Sequence, residues 1–235
     1  MKYKLIILVM CSSSPKFKKL EKSIKETWAN YSHPGIRVIF YTDNARTIFK
    51  KKAPVLKGDN LVLPCQDGYL QCTEKTLQAF EYIAANFNFE YIFRTNLGSY
   101  VNLDKMAAFL NDKPKTNFYS GIVGTYTNDG KTIRFASGSG YFLSKDLVDL
   151  VVAEREKLDQ QVIDDLALGK FMAGHQIPVN EQAIRLSQTN NSEEYQVGCD
   201  TVSTVDPAYI YHVRLRSDNR DTDIKRMHNL FNSKF

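Results

Sequence analysis

The chain has 235 residues, of which 43% are hydrophobic and 24% charged, and its formal net charge is +5. This length and composition predict one soluble globular domain whose core needs no disulfide or metal to hold it. The basic residues are scattered rather than aligned in a stripe, which argues against a nucleic-acid-binding protein, although the mild positive charge suits an anionic ligand such as a nucleotide.

The cysteines argue against both a zinc protein and a disulfide scaffold. Cys11, Cys65, Cys72 and Cys199 show no CxxC spacing and no paired histidines. We therefore expect free thiols in a reducing compartment. No stretch has the roughly 20 apolar residues that a membrane span needs, and residues 4–10 are interpreted as a buried strand rather than a signal peptide.

The first half of the chain alternates predicted strands with predicted helices. Residues 4–10 are apolar on both faces, which is typical of a central parallel strand. Apolar residues at helical spacing predict helices over 17–28 and 71–87. The polar tip at residues 42–44 is expected to cap a further helix. Other strands are predicted at residues 36–41, 59–63 and 91–93.

The second half is expected to contain more hairpins. Residues 128–130, Asn-Asp-Gly, are a hairpin turn signal. Strands are predicted at 117–124, 141–143, 177–186 and 208–213, and helices at 103–110, 144–157, 163–173 and 221–231. The alternation predicts an α/β fold with a mixed, mostly parallel central sheet flanked by helices.

Residues 89–102 are the expected centre of the molecule. A short apolar strand runs past Arg94 into a polar turn at residues 96–99. Open α/β sheets bind ligands at the carboxyl ends of their strands. We therefore expect the rest of the chain to present this turn to a ligand.

Five blocks of sequence resemble motifs of the family 31 glycosyltransferases, the inverting β-1,3-glycosyltransferases that include Fringe. The blocks are residues 24–28 (IKETW), 67–77 (DGYLQCTEKTL), 94–102 (RTNLGSYVN), 137–144 (SGSGYFLS) and 164–169 (DDLALG). They follow the family order from about Leu20 to His212, most of the chain. The resemblance implies a single GT-A-like domain, 1–235, with a nucleotide-sugar-binding half at 1–102 and an acceptor-binding and catalytic half at 103–235.

The resemblance breaks at the metal motif of the family. Members carry three consecutive aspartates there, which would hold Mn²⁺ or Mg²⁺ against the diphosphate of the donor. This chain has Asn96, Leu97 and Gly98 instead. Hard divalent cations need anionic oxygen ligands, so we predict that no divalent metal, and no other cofactor, is required.

The leaving nucleoside diphosphate would still need its developing charge neutralised, and arginine can do this with forked hydrogen bonds. Arg214 is the first candidate, with Arg216 beside it, and Arg94 and Arg220 are weaker ones. His212 matches the position of a metal-binding histidine in the family, and here it would donate a hydrogen bond to phosphate. An ordinary solvated surface is the alternative interpretation of this basic cluster.

Further donor-binding residues are predicted from their places in the expected fold and in the matched blocks. They are Ser12, Ser13, Asp43, Lys75, Asn96, Ser139 and Gly140. A helix cap explains Asp43 equally well. Packing is an alternative role for Lys75, and a tight turn is an alternative for residues 137–140.

The resemblance places the catalytic base at Asp165, with Asp164 able to share or take over that role. Inversion needs one carboxylate to accept the proton of the acceptor hydroxyl as that oxygen attacks the anomeric carbon. Both aspartates are also explained by the preference of a helix amino terminus for negative charge.

The sequence therefore predicts an inverting hexosyltransferase that moves a sugar from a nucleotide donor, expected to be a UDP-sugar, to a glycan hydroxyl. Two alternatives remain open: a degenerate homologue that binds a glycan or nucleotide without turnover, and a transferase using a GDP- or CMP-sugar. No nucleic-acid partner and no integral membrane segment are expected. Animal relatives have a membrane anchor and lumenal disulfides, neither evident in this sequence, so we expect a cytoplasmic microbial or viral enzyme or an excised catalytic domain.

Overall fold

The computed structural model describes residues 2–44 and 53–235. Within them the strands are β1 (Lys2–Met10), β2 (Ile36–Asp43), β3 (Val55–Lys57), β4 (Asn60–Leu63), β5 (Asn88–Asn96), β6 (Ser99–Val101), β7 (Tyr119–Asn128), β8 (Lys131–Ser144), β9 (Ile184–Gln188), β10 (Glu193–Val197), β11 (Asp200–Val202) and β12 (His212–Leu215). The helices are α1 (Lys18–Glu26), α2 (Cys72–Asn86), α3 (Leu103–Phe109), α4 (Lys145–Ala153), α5 (Asp164–Gly174) and α6 (Arg220–Asn232).

The larger of two sheets has seven strands in the order β3-β4-β2-β1-β5-β8-β7. β4, β2, β1 and β5 are parallel, whereas β8 is antiparallel to β5, and β7 is antiparallel to β8. The predicted fold class, a mixed and mostly parallel α/β sheet flanked by helices, is confirmed. This architecture is consistent with a GT-A-like fold.

The smaller sheet has five strands in the order β11-β10-β9-β12-β6. β12 is parallel to β9 and antiparallel to β6. Only Leu97 and Gly98 separate the end of β5 from the start of β6. This short polar turn therefore joins the two sheets, and it brings β12 beside the carboxyl end of β5.

Side chains of β1 alternate between two hydrophobic cores on opposite faces of the larger sheet. Leu5, Ile7 and Val9 belong to one core, and Ile6 and Leu8 belong to the other. Each is completely buried, and burial of such a side chain stabilises the fold by roughly 1.5–3 kcal/mol. This explains why the strand is apolar on both faces.

A tight turn was the alternative interpretation of the small residues 137–140, but they continue strand β8 from the hairpin to the predicted strand at 141–143. The ladder between β7 and β8 shifts register between Gly121 and Val123, opposite this segment. The run of small residues therefore marks an irregularity within a strand.

The carboxyl-terminal strands begin later than predicted. The strand expected at 177–186 begins at Ile184, and the one expected at 208–213 begins at His212, after a 3₁₀ turn at Pro207–Tyr209. Strands β3, β6, β10 and β11 were missed, because each has only three to five residues, too few to show an apolar period. The helix predicted after Asn44 lies outside the described residues.

In the described part of the chain, no helix is both long and apolar enough to cross a membrane. All four cysteines lie in this part and are unpaired. The predicted division into halves at residue 102 stays a prediction, and the smaller sheet takes β6 from the first half and the remaining strands from the second.

Candidate active site

A cavity of about 590 Å³ lies where the carboxyl ends of β1 and β5 meet the smaller sheet. Its polar side chains come from the loop after β1, the loop before α2 and the first turn of α2, the last residue of β5, the end of β12 with the residue after it, and the start of α6. Among them are Ser12, Ser14, Asp67, Tyr69, Lys75, Asn96, Arg214, Arg216 and Arg220. This position is where open α/β sheets bind ligands, and the volume suits a small molecule.

A buried lysine holds the floor of this cavity together. The ammonium of Lys75 lies 2.9 Å from the carboxylate of Asp43 and 2.7 Å from that of Asp67, and it also donates to the Cys11 carbonyl. Burial lowers the pKa of Lys75, but its two carboxylate partners outweigh this and hold it above its usual value. Lys75 therefore stays charged and ties β1, β2 and the loop before α2 together.

Asp67 is the carboxylate that reaches the cavity from this network. It accepts a hydrogen bond from the hydroxyl of Ser12, which also lines the cavity. Asp43 is buried behind it, where it accepts a hydrogen bond from the backbone amide of Ser13. Thus Ser12 and Lys75 line the cavity, whereas Asp43 and Ser13 support its wall from behind, and the predicted contact of all four with the donor stays a prediction.

The turn after β5 does not fit a hard divalent cation. The side-chain oxygen of Asn96 accepts a hydrogen bond from the amide of Gly98, 3.0 Å away, so its acceptor is already engaged. Leu97 is buried and has no polar atom. Among the described residues, no group of three or more His, Cys, Asp or Glu side chains is placed to hold a metal.

Opposite this turn, the smaller sheet presents a face of basic side chains. Arg214 on β12 pairs with Ser187 on β9, so strand alternation puts His212 and Arg185 on the same face as Arg214. No side chain in residues 2–44 and 53–235 hydrogen-bonds to or pairs with the guanidinium of Arg214. Burial and Arg216 lower the pKa of Arg214, and Asp165 opposes this effect.

Arg185 is the functional candidate that sequence reasoning missed. It is 3% exposed, and its guanidinium donates to the amide oxygen of Gln196 and to the hydroxyl of Ser139, both uncharged. Burial and the neighbouring Arg214 lower its pKa to about 9. A buried cation without a carboxylate partner is expensive. In the sequence, the only sign of Arg185 is that it alternates with other polar residues within a short strand.

His212 lies on the same face of the smaller sheet as Arg214, but it is buried. Its Nε2 lies 3.0 Å from the hydroxyl of Ser99, and its ring packs edge-on against Phe93. Burial, Arg185 and Arg214 hold its pKa well below the usual value, so the imidazole is neutral. The structure does not place His212 in the cavity lining, and its predicted contact with phosphate stays a prediction.

The two aspartates at the start of α5 have different environments. Asp164 is buried and forms an ion pair with Arg94 at 2.7 Å and a hydrogen bond with Thr76. Burial raises the pKa of Asp164 to about 6 despite the neighbouring arginine. Arg94 is also buried, so this predicted donor contact and its partner carboxylate lie beneath the cavity rather than in its wall.

Asp165 is half-buried and faces the irregular segment of β8. One carboxylate oxygen accepts the amide of Gly138 at 2.7 Å, and the other accepts the amide of Leu166 at 2.9 Å. The side chain of Asn96 donates to the carbonyl of the same Gly138, so Asp165 lies one residue beyond the cavity wall. Of the two predicted catalytic residues, Asp165 is the less buried.

Close packing explains the glycines of this segment. A Cβ at Gly138 would lie 2.9 Å from the Asp165 carboxylate, and one at Gly140 would lie 2.5 Å from the ring of Phe93. The carbonyl of Ser139 accepts hydrogen bonds from two hydroxyls, those of Thr95 and Ser99. Gly138 therefore contacts Asp165, whereas Ser139 and Gly140 pack against the basic face, and the predicted contact of Ser139 and Gly140 with the donor stays a prediction.

No protein-family model matches the chain. Mouse β-1,3-galactosyltransferase 6 is 25% identical to it over 134 residues, which cover 49% of this chain and 41% of the mouse protein. The match thus spans less than half of that relative. A crystal structure of a glycosyltransferase involved in the glycosylation of the major capsid of PBCV-1 aligns over 96% of this chain and 99% of that chain, with 14% identity and a TM-score of 0.49. The sequence likeness supports kinship with glycosyltransferases and does not single out family 31.

Proposed function

We propose that this chain is an inverting glycosyltransferase of the family 31 type, which moves a hexose from a nucleotide sugar to a glycan hydroxyl without needing a divalent metal. The observation that carries the proposal is the cavity at the ends of β1 and β5, with a polar wall, a facing pair of arginines and a carboxylate one residue away. The partial likeness to a galactosyltransferase supports the same class of reaction.

In the proposed mechanism the diphosphate of the donor lies against Arg214 and Arg216. Asp165 accepts the proton of the acceptor hydroxyl while its oxygen bonds to the anomeric carbon. The bond from that carbon to the diphosphate breaks on the opposite side, and the diphosphate leaves with the bonding pair. Guanidinium groups fixed in place stabilise this developing charge without reorganisation.

The donor set of the turn supports metal independence, because Asn96 is engaged with the backbone and its neighbours lack oxygen ligands. The test is donor hydrolysis and sugar transfer measured in excess EDTA and again with added Mn²⁺. Activity that survives chelation supports the proposal. Activity that disappears in EDTA and returns with Mn²⁺ would contradict it.

The role of Asp165 is tested by Asp165→Asn, which preserves the shape of the side chain and keeps an acceptor for one of the two backbone amides. Loss of a general base lowers the rate by about 10²–10⁴-fold, and we expect this loss in kcat with donor binding nearly unchanged. Unchanged kcat would remove Asp165 from the mechanism.

The phosphate clamp is tested by Arg214→Ala. A hydrogen bond to a charged group contributes about 1.5–3 kcal/mol, so nucleoside diphosphate binding should weaken roughly 10- to 100-fold while nucleoside binding changes little. Arg226→Ala is a matched control, because Arg226 is also half-buried but donates to the Thr189 carbonyl away from the cavity. Equal losses for both ligands in Arg214→Ala would contradict the clamp.

Binding without turnover is the second candidate, and one observation favours it: both oxygens of Asp165 already accept backbone amides. A protein that binds nucleoside diphosphate but shows no hydrolysis or transfer with any donor, with or without Mn²⁺, would be such a module. A thermal-shift comparison of UDP, GDP and CMP decides the donor class, for which we propose uridine. A cytoplasmic location and a glycan acceptor are parts of the same proposal.

A further inference from the structure

A second cavity, of about 570 Å³, lies on the far side of strand β6 from the candidate active site. Four aromatic side chains, those of Trp28, Tyr31, Tyr100 and Phe231, line it together with the aliphatic Val101 and Leu103. Trp28 and Tyr100 are buried, while Tyr31 and Phe231 are exposed at the mouth, 50% and 36% respectively. The size suits a small ligand.

The two cavities are separate. Helices α1 and α6 pack side by side, and the candidate active site takes Leu20 from α1 and Arg220 from the first residue of α6. The second cavity takes Trp28, just after α1, and Phe231 near the end of α6. The 13 residues of α6 span about 20 Å, and the two linings share no residue.

The hydroxyl of Tyr100 in the second cavity has no protein partner among the described residues. Tyr100 as a whole is 4% exposed, and burial raises the pKa of its phenol. The hydroxyl oxygen itself keeps some exposed surface, so it opens onto the cavity. A ligand or solvent in the cavity therefore supplies its hydrogen bond.

The remaining polar groups at the mouth carry charges of both signs and neutral amides. Asp104 and Lys234 are the charged groups, and Asn102 and Asn232 are the amides, of which Asn102 already donates to the Phe235 carbonyl and accepts from the Lys105 amide. The Tyr31 hydroxyl lies 3.5 Å from the Asp104 carboxylate. A mixed set of donors and acceptors around flat aromatic rings matches a neutral polyhydroxylated ring, whose C–H face packs on aromatic rings while its hydroxyls hydrogen-bond at the edges.

We propose that this cavity is a second carbohydrate-binding site, which takes one or two neutral pyranose units of a glycan. Its place, a helix length from the candidate active site, would let it hold a glycan remote from the reacting sugar. Contacts of that kind contribute to binding and orientation rather than to bond making. The proposal concerns a different cavity and stands whether or not the transferase proposal does.

The single tryptophan of the chain makes the test specific, because Trp28 lines this cavity and not the other. The full chain is titrated with methyl β-galactoside, N-acetylglucosamine, lactose and maltose, to about 100 mM to reach weak millimolar sites. Tryptophan emission is followed, with sorbitol as a control for solution effects. We expect a saturable change with at least one sugar and none with sorbitol.

Two variants locate the signal. Tyr100→Phe removes only the unpartnered hydroxyl and should weaken binding by about 2- to 10-fold, the value of one hydrogen bond. Phe231→Ala should weaken it by about 10-fold or more through loss of the mouth aromatic. Tyr126→Ala is the matched control, since Tyr126 is similarly exposed, at 38%, on a hairpin outside the cavity.

Three outcomes overturn the proposal: no saturable emission change with any of the four sugars, a change that Tyr100→Phe and Phe231→Ala leave intact, or a change that Tyr126→Ala abolishes equally. Arg214→Ala separates the two proposals, because it should impair diphosphate binding at the first cavity and leave the sugar titration unchanged. If Phe231→Ala does not fold, Tyr100→Phe, which keeps the ring, still decides the question.

Discussion

Replacing Arg185 and Arg94 tests whether each buried charge stabilises the fold or serves ligand binding. Both side chains are 3% exposed. Arg94 has a carboxylate partner, Asp164, at 2.7 Å, whereas among the described residues only the neutral groups of Gln196 and Ser139 accept hydrogen bonds from Arg185. Replacing each arginine with methionine keeps the length of the stem and removes the charge. We expect opposite effects on the unliganded protein.

The magnitude for Arg185 follows from its pKa, which burial and Arg214 lower from 12.5 to about 9. At 1.36 kcal/mol per pH unit, the charged form costs about 5 kcal/mol. Because the folded pKa lies below the unfolded one, this cost is complete below pH 9 and declines as the pH rises towards 12.5. Losing three hydrogen bonds of about 1 kcal/mol each offsets part of the gain, so Arg185→Met should stabilise the unliganded protein by about 1–2 kcal/mol.

For Arg94→Met we expect a loss of about 3–5 kcal/mol, since a buried carboxylate is left unpaired. Urea denaturation at pH 7 measures both effects. UDP and uridine are then titrated into Arg185→Met. The charge of Arg185 repels the neighbouring Arg214 and so keeps it facing the cavity. In Arg185→Met this repulsion is absent and Arg214 is free to fold back. UDP should therefore bind about 3- to 10-fold more weakly, and uridine equally well.

The outcome that refutes this reasoning is loss of stability in Arg185→Met comparable to that in Arg94→Met, together with unchanged UDP binding. Arg185 would then be a structural residue that its neutral acceptors satisfy. A more stable Arg185→Met variant that binds UDP more weakly would identify Arg185 as a positioning residue, whose buried charge destabilises the unliganded protein but aids anion binding.

Three further outcomes are expected. Gly140→Ala should lose about 1–3 kcal/mol on urea denaturation, since its Cβ would lie 2.5 Å from the ring of Phe93; an unchanged midpoint would contradict the close packing. Lys75→Met should lose about 3–5 kcal/mol by leaving two carboxylates without their cation, and equal stability at pH 7 would show that the network is dispensable. Burial raises the pKa of Asp164 to about 6, so the folded protein binds a proton at this carboxyl more tightly than the unfolded chain does. The group therefore favours folding at low pH and loses that contribution as the pH rises through 6. Asp164→Asn should remove this pH-dependent part of the free energy of unfolding, and identical stability-against-pH profiles for the two proteins would refute it.

The alternating strands and helices of the first half could be predicted, because a strand buried on both faces has an unmistakable run of apolar residues. The position of the cavity followed from the same pattern, since polar residues after β1 and β5 meet at one edge of a parallel sheet. The smaller sheet was predicted less well. Its strands are three to five residues long, and their pairing depends on contacts between distant segments that no local period records.

The assignment of side chains to the cavity was limited for a related reason. Arg94 and Arg214 are both arginines near strand ends, and only the three-dimensional arrangement shows that one is paired beneath the cavity and the other faces it. Arg185 could not be singled out, because an arginine in a short polar strand is more often on the surface. Its burial depends on β12 lying alongside.

The uncharged turn after β5 and the two arginines that face the cavity, Arg214 and Arg216, are connected through charge. A turn of aspartates repels a diphosphate until a cation occupies it, whereas Asn96 and its neighbours carry no charge. Arg214 near the end of β12 and Arg216 just after it face the same cavity, and within the described residues no carboxylate forms an ion pair with either. If the cavity binds a nucleoside diphosphate, its attraction is therefore already present in the unliganded protein. Exposed charges are screened over about 8–10 Å at physiological salt, so UDP affinity should fall as NaCl is raised and remain unchanged by EDTA. Affinity insensitive to NaCl but dependent on Mn²⁺ would show that the charge comes from an ion and not from the arginines.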